Sequence, residues 1–213
     1  MKAAYHKVYG RDLETDIVKD TSGDYQEFFM KLLRGRDETG VYNVDADAEA
    51  LYKAGPGRWF GLGWGTDESV FIDIINQRPT LHLREVFAAY QAKYGKHIID
   101  LLDSEFSWNI KKGLIHTVQY IIDPIGKIVN DFHKAVAGLG TKDRKLVRLV
   151  VRHFRFEAFG APDRTLFINE RYRMEHGEEL APRIARDTAL VGEQDYANAL
   201  QHVLKFGIER RNL

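Results

Sequence analysis

The chain of 213 residues contains no cysteine, so it has neither a disulfide framework nor a thiolate metal site. It has no surplus of charge either: 31 lysines and arginines balance 31 aspartates and glutamates. Binding to nucleic acid or bare acidic lipid through bulk positive charge needs a basic surplus, so no nucleic-acid partner is expected. No apolar run approaches the roughly 18–20 residues that a membrane-spanning helix needs. The opening Met1-Lys2-Ala3-Ala4-Tyr5-His6 lacks the apolar core of a secretory signal. Together these absences predict a soluble, cytosolic protein, and the length allows one or two domains. Only five prolines interrupt the chain, and no stretch alternates apolar and polar residues for long. Helix is therefore the expected element throughout.

What is present repeats. Ala3-Ala4-Tyr5 followed by Tyr9-Gly10 recurs as Ala88-Ala89-Tyr90 followed by Tyr94-Gly95. A third copy keeps Tyr172 and then His176-Gly177. Three residues past each glycine stands an apolar residue (Leu13, Ile98, Leu180), and ten past it an acid (Asp20, Glu105, Asp187). Upstream of the second and third copies lie two glycine loops, Gly61-Leu62-Gly63-Trp64-Gly65-Thr66 and Gly138-Leu139-Gly140-Thr141. The acid follows the last loop glycine by 40 residues in one case and 47 in the other, which places an insertion near 154–162. Val86, Phe87, Tyr90 and Tyr94 form a one-sided helical stripe. Gly10, Gly95 and Gly177 stand where left-handed residues end helices, Thr66 reads as an N-cap, and Ser22, Ser107 and Gly192 open the next helices. The fold class is all-α, with five short helices per full repeat.

Each glycine loop taken singly reads as an ordinary turn. Paired twice with a remote acid, the loops point to a hard cation. Calcium takes six to eight oxygens, commonly carbonyls, water and a carboxylate. The first site would use the carbonyls of Gly61, Gly63 and Gly65 with Glu105; the second, those of Val136, Gly138 and Gly140 with Asp187. Such sites carry little protein charge and leave positions to water, so affinity for calcium alone is expected to be weak. A lipid phosphate filling those positions would make calcium and anionic lipid raise each other's affinity.

Other chemistry is not indicated. Gly61-x-Gly63 lacks a preceding strand and a third glycine, so it is no dinucleotide fingerprint. Asp45-x-Asp47-x-Glu49 fails as an EF-hand because Ala50 and Pro56 occupy obligatory positions, and these acids read as the solvated start of a helix ending near Ala54. The eight histidines form no HExxH pattern, and no serine sits in a nucleophile motif. His97, His116 and His176 read as packed or surface residues, and Arg144, Lys145, Arg148 and Arg152 as a solvated helix face. No catalytic residue is assigned, and no enzyme is expected.

The motif order, Gly63–Thr66, then Arg78, then Tyr94-Gly95, then Glu105, resembles the annexin repeat. The segment around Trp64–Glu68 is similar to the third repeat of that family, and Lys19–Tyr25 to the acidic turn of the second. The resemblance implies an annexin-like array of five-helix repeats forming a curved disc with calcium loops on its convex face. It divides the chain into 1–36, the C-terminal part of a second repeat; 43–122, a repeat like the third; and 126–207, a repeat like the fourth with the insertion. Annexins usually have four repeats and this chain two and a half, so Asp20 is expected to be an orphan ligand, its glycine loop not being in this chain. Whether the chain is a fragment or a short member stays open.

The implied function is calcium-dependent binding to acidic, phosphatidylserine-like membranes, in membrane trafficking or organisation. The implied location is the cytoplasm, with peripheral attachment to membranes when calcium is raised. Trp59, Phe60, Leu62 and Trp64 crowd the first loop as expected membrane contacts, since tryptophan favours the headgroup layer. The alternative there is that Trp59 and Phe60 fold back onto the helices and Trp64 alone is exposed. The alternative function is a calcium-independent scaffold on the same fold, with cytoskeletal or other protein partners. Lys142 after the second loop, Phe106 and Trp108 after Glu105, and the insertion before Asp187 depart from the family pattern. Lys142, the insertion and the turn Asp187-Thr188-Ala189-Leu190, which keeps only the start of the motif, favour the Glu105 site over the Asp187 site.

Overall fold

Left-handed glycines end three helices at equivalent places. Helix α1 (Lys2–Tyr9) stops at Gly10 with φ 66°, α6 (Thr80–Tyr94) at Gly95 with φ 69°, and α11 (Arg164–His176) at Gly177 with φ 73°. Any side chain there would strain the backbone by about 1–2 kcal/mol, and glycine avoids that cost. Each glycine is followed by a short helix that ends at the repeated acid: α2 (Leu13–Asp20), α7 (Ile98–Glu105) and, running two residues further, α12 (Leu180–Ala189). Ser22 precedes α3 (Gly23–Arg34) and Ser107 precedes α8 (Trp108–Ile122), as the sequence predicts. The remaining helices are α4 (Val44–Ala54), α5 (Glu68–Gln77), α9 (Pro124–Val136) and α10 (Asp143–Phe154).

The computed structural model describes residues 1–57, 65–137, 143–154, 164–189, 198–200 and 202. Among them no strand occurs, and no helix is long and apolar enough to cross a membrane. The insertion near 154–162 and the helix start at Gly192 fall almost wholly outside the described residues. The chain divides into two compact units, Met1–Ile122 and Asp123–Leu213.

In the first unit α4 packs on α6 and α3 on α5. The predicted stripe of α6 faces inward, with Val86, Phe87 and Tyr90 buried, and Phe71, Ile74 and Ile75 of α5 are buried in the same core. Leu101 of α7 is fully buried in the same core. Burying one such side chain contributes about 1.5–3 kcal/mol, so this core holds the ends of α4, α5 and α7 in fixed relation. In the second unit α9 packs on α10, α11 and α12.

The two compact units share a detail that spacing alone did not reveal. Tyr52 and Tyr94 stack face to face with centroids 4.1 Å apart, and Tyr90 tilts against Tyr94. In the second unit His133 and His176 stack at 4.0 Å, and Tyr172 tilts against His176. His176 is thus packed, as its place in the repeat predicts.

Two local expectations fail. Thr66 is not the cap of α5; Asp67 holds that position, and the Thr66 hydroxyl is committed elsewhere. Asn43 caps α4 through the Ala46 amide, but Asp47 in its first turn is not solvated. It is buried between Arg78, whose Nε donates to it at 2.9 Å, and His82, 2.8 Å away. A carboxylate on the inward face of a first turn turns to the nearest cation rather than to water, because burial without a partner is costly.

Candidate functional site

The two ends of the first loop are tied together before any ligand is considered. The Asp67 amide donates to the Ala54 carbonyl at 2.8 Å, joining the start of α5 to the end of α4. Glu105, the last residue of α7, reaches this junction. Thr66 Oγ1 donates to Glu105 Oε2 at 2.8 Å and lies 3.4 Å from the Glu105 carbonyl oxygen. A Cβ on Gly55 would stand 3.4 Å from the Glu105 carboxyl carbon and 3.3 Å from Phe71 Cζ, so the chain passes close over the carboxylate and the core beneath it. Gly65 has φ +90°, a conformation open chiefly to glycine. Phe106, buried edge-on against Phe71, fixes the end of α7 from below.

Among the described residues, the electrostatics at this junction are those of a carboxylate paired with no cation; the close partner of Glu105 is a neutral hydroxyl. The Tyr90 hydroxyl is pushed up to about 12, first by burial and then by the charge of Glu105. A half-buried carboxylate bonded through one oxygen to a hydroxyl, beside a glycine turn, is a hard-oxygen donor of the kind calcium takes. These residues fit that ion.

The second set is arranged differently. Val136 ends α9, and Asp187 lies near the end of α12, one helical turn beyond Arg183. The Arg183 guanidinium donates through Nε to Asp187 Oδ2 at 2.9 Å and through Nη2 to the Val136 carbonyl at 3.3 Å. Its Nη1 donates to Glu178 Oε1 at 3.1 Å. Burial works against the Arg183 cation, but Asp187 and Glu178 outweigh it and hold its pKa above the ordinary arginine value. Glu178 is held below the usual carboxylate range by hydrogen bonds from Arg186 and Arg183. Arg186 Nε stands 4.0 Å from Asp187 Oδ1, and its closer partner is Glu178.

Of the residues named from sequence, Gly65 and Glu105 flank one junction, and Val136 and Asp187 share one guanidinium. Gly61, Gly63, Gly138 and Gly140 lie outside the described residues, as do the expected membrane contacts Trp59, Phe60, Leu62 and Trp64. Asp20 is exposed at the end of α2. Lys145 is not merely solvated: it bonds Asp131, while Arg144, Arg148 and Arg152 are exposed. Sequence reasoning missed Thr66 as the partner of Glu105, and missed Arg183 altogether. The available signal was register, because Arg183 occupies the position of the fully buried Leu101.

Comparison with known proteins gives consistent matches. The annexin family model matches residues 1–32 and 46–116. Annexin A5 of Cynops pyrrhogaster is 33% identical over 204 residues, covering 94% of this chain and 58% of that protein. The solved structure of annexin III superposes with a TM-score of 0.81 at 28% identity, over 95% of this chain and 59% of that one. A calcium-bound annexin (Sm)1 superposes with a TM-score of 0.73 at 26% identity, over 95% of this chain and 58% of that one. The chain thus spans somewhat under two thirds of each of these three proteins.

Proposed function

Since the chain is an annexin family member covering part of the family's repeats, we propose that it binds acidic phospholipid membranes through calcium held at Glu105. The observation that carries this reading is the Glu105 carboxylate at the base of the glycine turn, bonded to a hydroxyl and to no cation among the described residues. Calcium would take the Glu105 carboxylate together with the carbonyls of Gly61, Gly63 and Gly65. It would supply a divalent charge with positions open to a lipid phosphate. Because ion and lipid then share one coordination sphere, each raises the affinity of the other.

The residues of this chain do the rest. Thr66 holds one carboxylate oxygen and so orients the group; the tie between Ala54 and Asp67 sets the width of the turn. Trp64, Leu62, Trp59 and Phe60 would enter the headgroup layer beside the ion. The reading places the protein in the cytoplasm, peripheral on membranes when calcium rises, and gives it no catalytic residue.

The experiment is co-sedimentation of the full chain with phosphatidylserine vesicles across a calcium titration, with a chelator control, for wild type and Glu105→Gln. The reading requires calcium-dependent pelleting and a calcium requirement raised on the order of tenfold in the variant, which loses one ligand charge. Folded protein that stays in the supernatant at millimolar calcium would refute it and favour a calcium-independent scaffold.

A further inference from the structure

The two full repeats differ at one position that matters for the cation. Counting from Gly95 and Gly177, the sixth residue is Leu101 in one and Arg183 in the other, and the tenth is Glu105 or Asp187. Leu101 is fully buried and leaves its acid without a cationic neighbour among the described residues. Arg183, one helical turn before Asp187, turns its guanidinium onto that acid and onto the Val136 carbonyl. These are two of the groups that the sequence pattern gives to a single calcium ion. Glu178 takes the third edge of the guanidinium, so the fork is satisfied on all sides.

Chemistry decides between the occupants. A tethered arginine is always charged and is held at high effective concentration. Calcium would have to displace it, leaving the guanidinium to find new partners beside a divalent ion of the same sign. Arg186 stands by at 4.0 Å from the other Asp187 oxygen, which adds to the repulsion. As the structure stands, Asp187 and Val136 do not fit calcium.

We propose that Arg183 is a built-in cation that closes the fourth-repeat site to calcium, so that the chain engages membranes through the Glu105 site alone. This rests on the reading that Glu105 binds calcium. Neutralising Arg183 therefore creates a second calcium-dependent contact rather than destroying one.

The test is calcium-dependent sedimentation of the full chain on phosphatidylserine vesicles, with folding checked by circular dichroism. The variants are Asp187→Asn, Arg183→Leu (the third-repeat residue), Arg183→Gln (which keeps a donor and drops the charge) and Arg183→Gln/Asp187→Asn. Asp187→Asn alone should leave the calcium requirement unchanged. Either Arg183 variant should lower it by about fivefold or more, within the range of two-site couplings, and adding Asp187→Asn should cancel that gain. The proposal is overturned if Asp187→Asn alone raises the requirement as Glu105→Gln does, or if folded Arg183 variants match wild type. Should wild type fail to sediment at all, the Glu105 reading falls separately. Arg183 variants that then sediment with calcium support the lock, and variants that do not overturn it.

Discussion

Replacing Thr66 with valine nearly preserves the shape of the side chain and removes one hydroxyl, whose close partner is Glu105 Oε2 at 2.8 Å. Hydrogen bonds to charged groups contribute about 1.5–3 kcal/mol net. Glu105 is half-buried, so its carboxylate regains some water when the hydroxyl goes, and the loss belongs near the lower end, about 1.5 kcal/mol. The assay is urea unfolding of wild type, Thr66→Val, Glu105→Ala and the double variant. If the hydroxyl serves Glu105, Thr66→Val destabilises the wild-type background but has little effect once Glu105 is alanine, a coupling of about 1 kcal/mol or more. If Thr66 instead caps α5, the hydroxyl bonds the first turn of its own helix, and the loss is the same in both backgrounds. Equal losses would refute the assignment of Thr66 to the site.

Asp47→Ala should destabilise the first unit by about 2–4 kcal/mol, because it leaves Arg78 and His82 facing a vacated acid position; thermal unfolding reads it, and a loss under 1 kcal/mol contradicts it. His153 is pushed down to about 4 by burial and by Arg152 and Arg164, so it stays neutral in the fold while the unfolded chain takes up a proton below about 6.5. Its contribution to stability is therefore intact above about 6.5 and is lost as pH falls toward 4. His133, lowered by burial, by His176 and by Arg183, acts in the same direction. His153→Phe should flatten the decline in unfolding free energy between those pH values, and an unchanged slope would count against this account.

The helix ends were legible because the reasons for them are local. A glycine at φ 66° or 69° ends α1 or α6 whatever packs around it, and the spacing to the next acid follows the chain. The partners of polar side chains were less legible, because they come from distant segments. Thr66 has the composition of a cap, yet its oxygen meets a carboxylate 39 residues away. Asp47 has the position of a solvated first-turn acid, yet Arg78 and His82 sit 31 and 35 residues further along. Arg183 could have been noticed as an arginine where the Glu105 repeat has the buried Leu101, four residues before the acid. What it bonds, including the Val136 carbonyl 47 residues earlier, needed the fold.

The most direct measurement is a crystal structure of the full chain grown with calcium, with ions located by anomalous scattering at long wavelength. The account predicts an ion at Glu105, with carboxylate oxygens at about 2.3–2.6 Å. It predicts none at Asp187, where Arg183 keeps its bonds to the acid and to Val136. No ion at Glu105 at millimolar calcium, or an ion at Asp187 with Arg183 turned away, would contradict it.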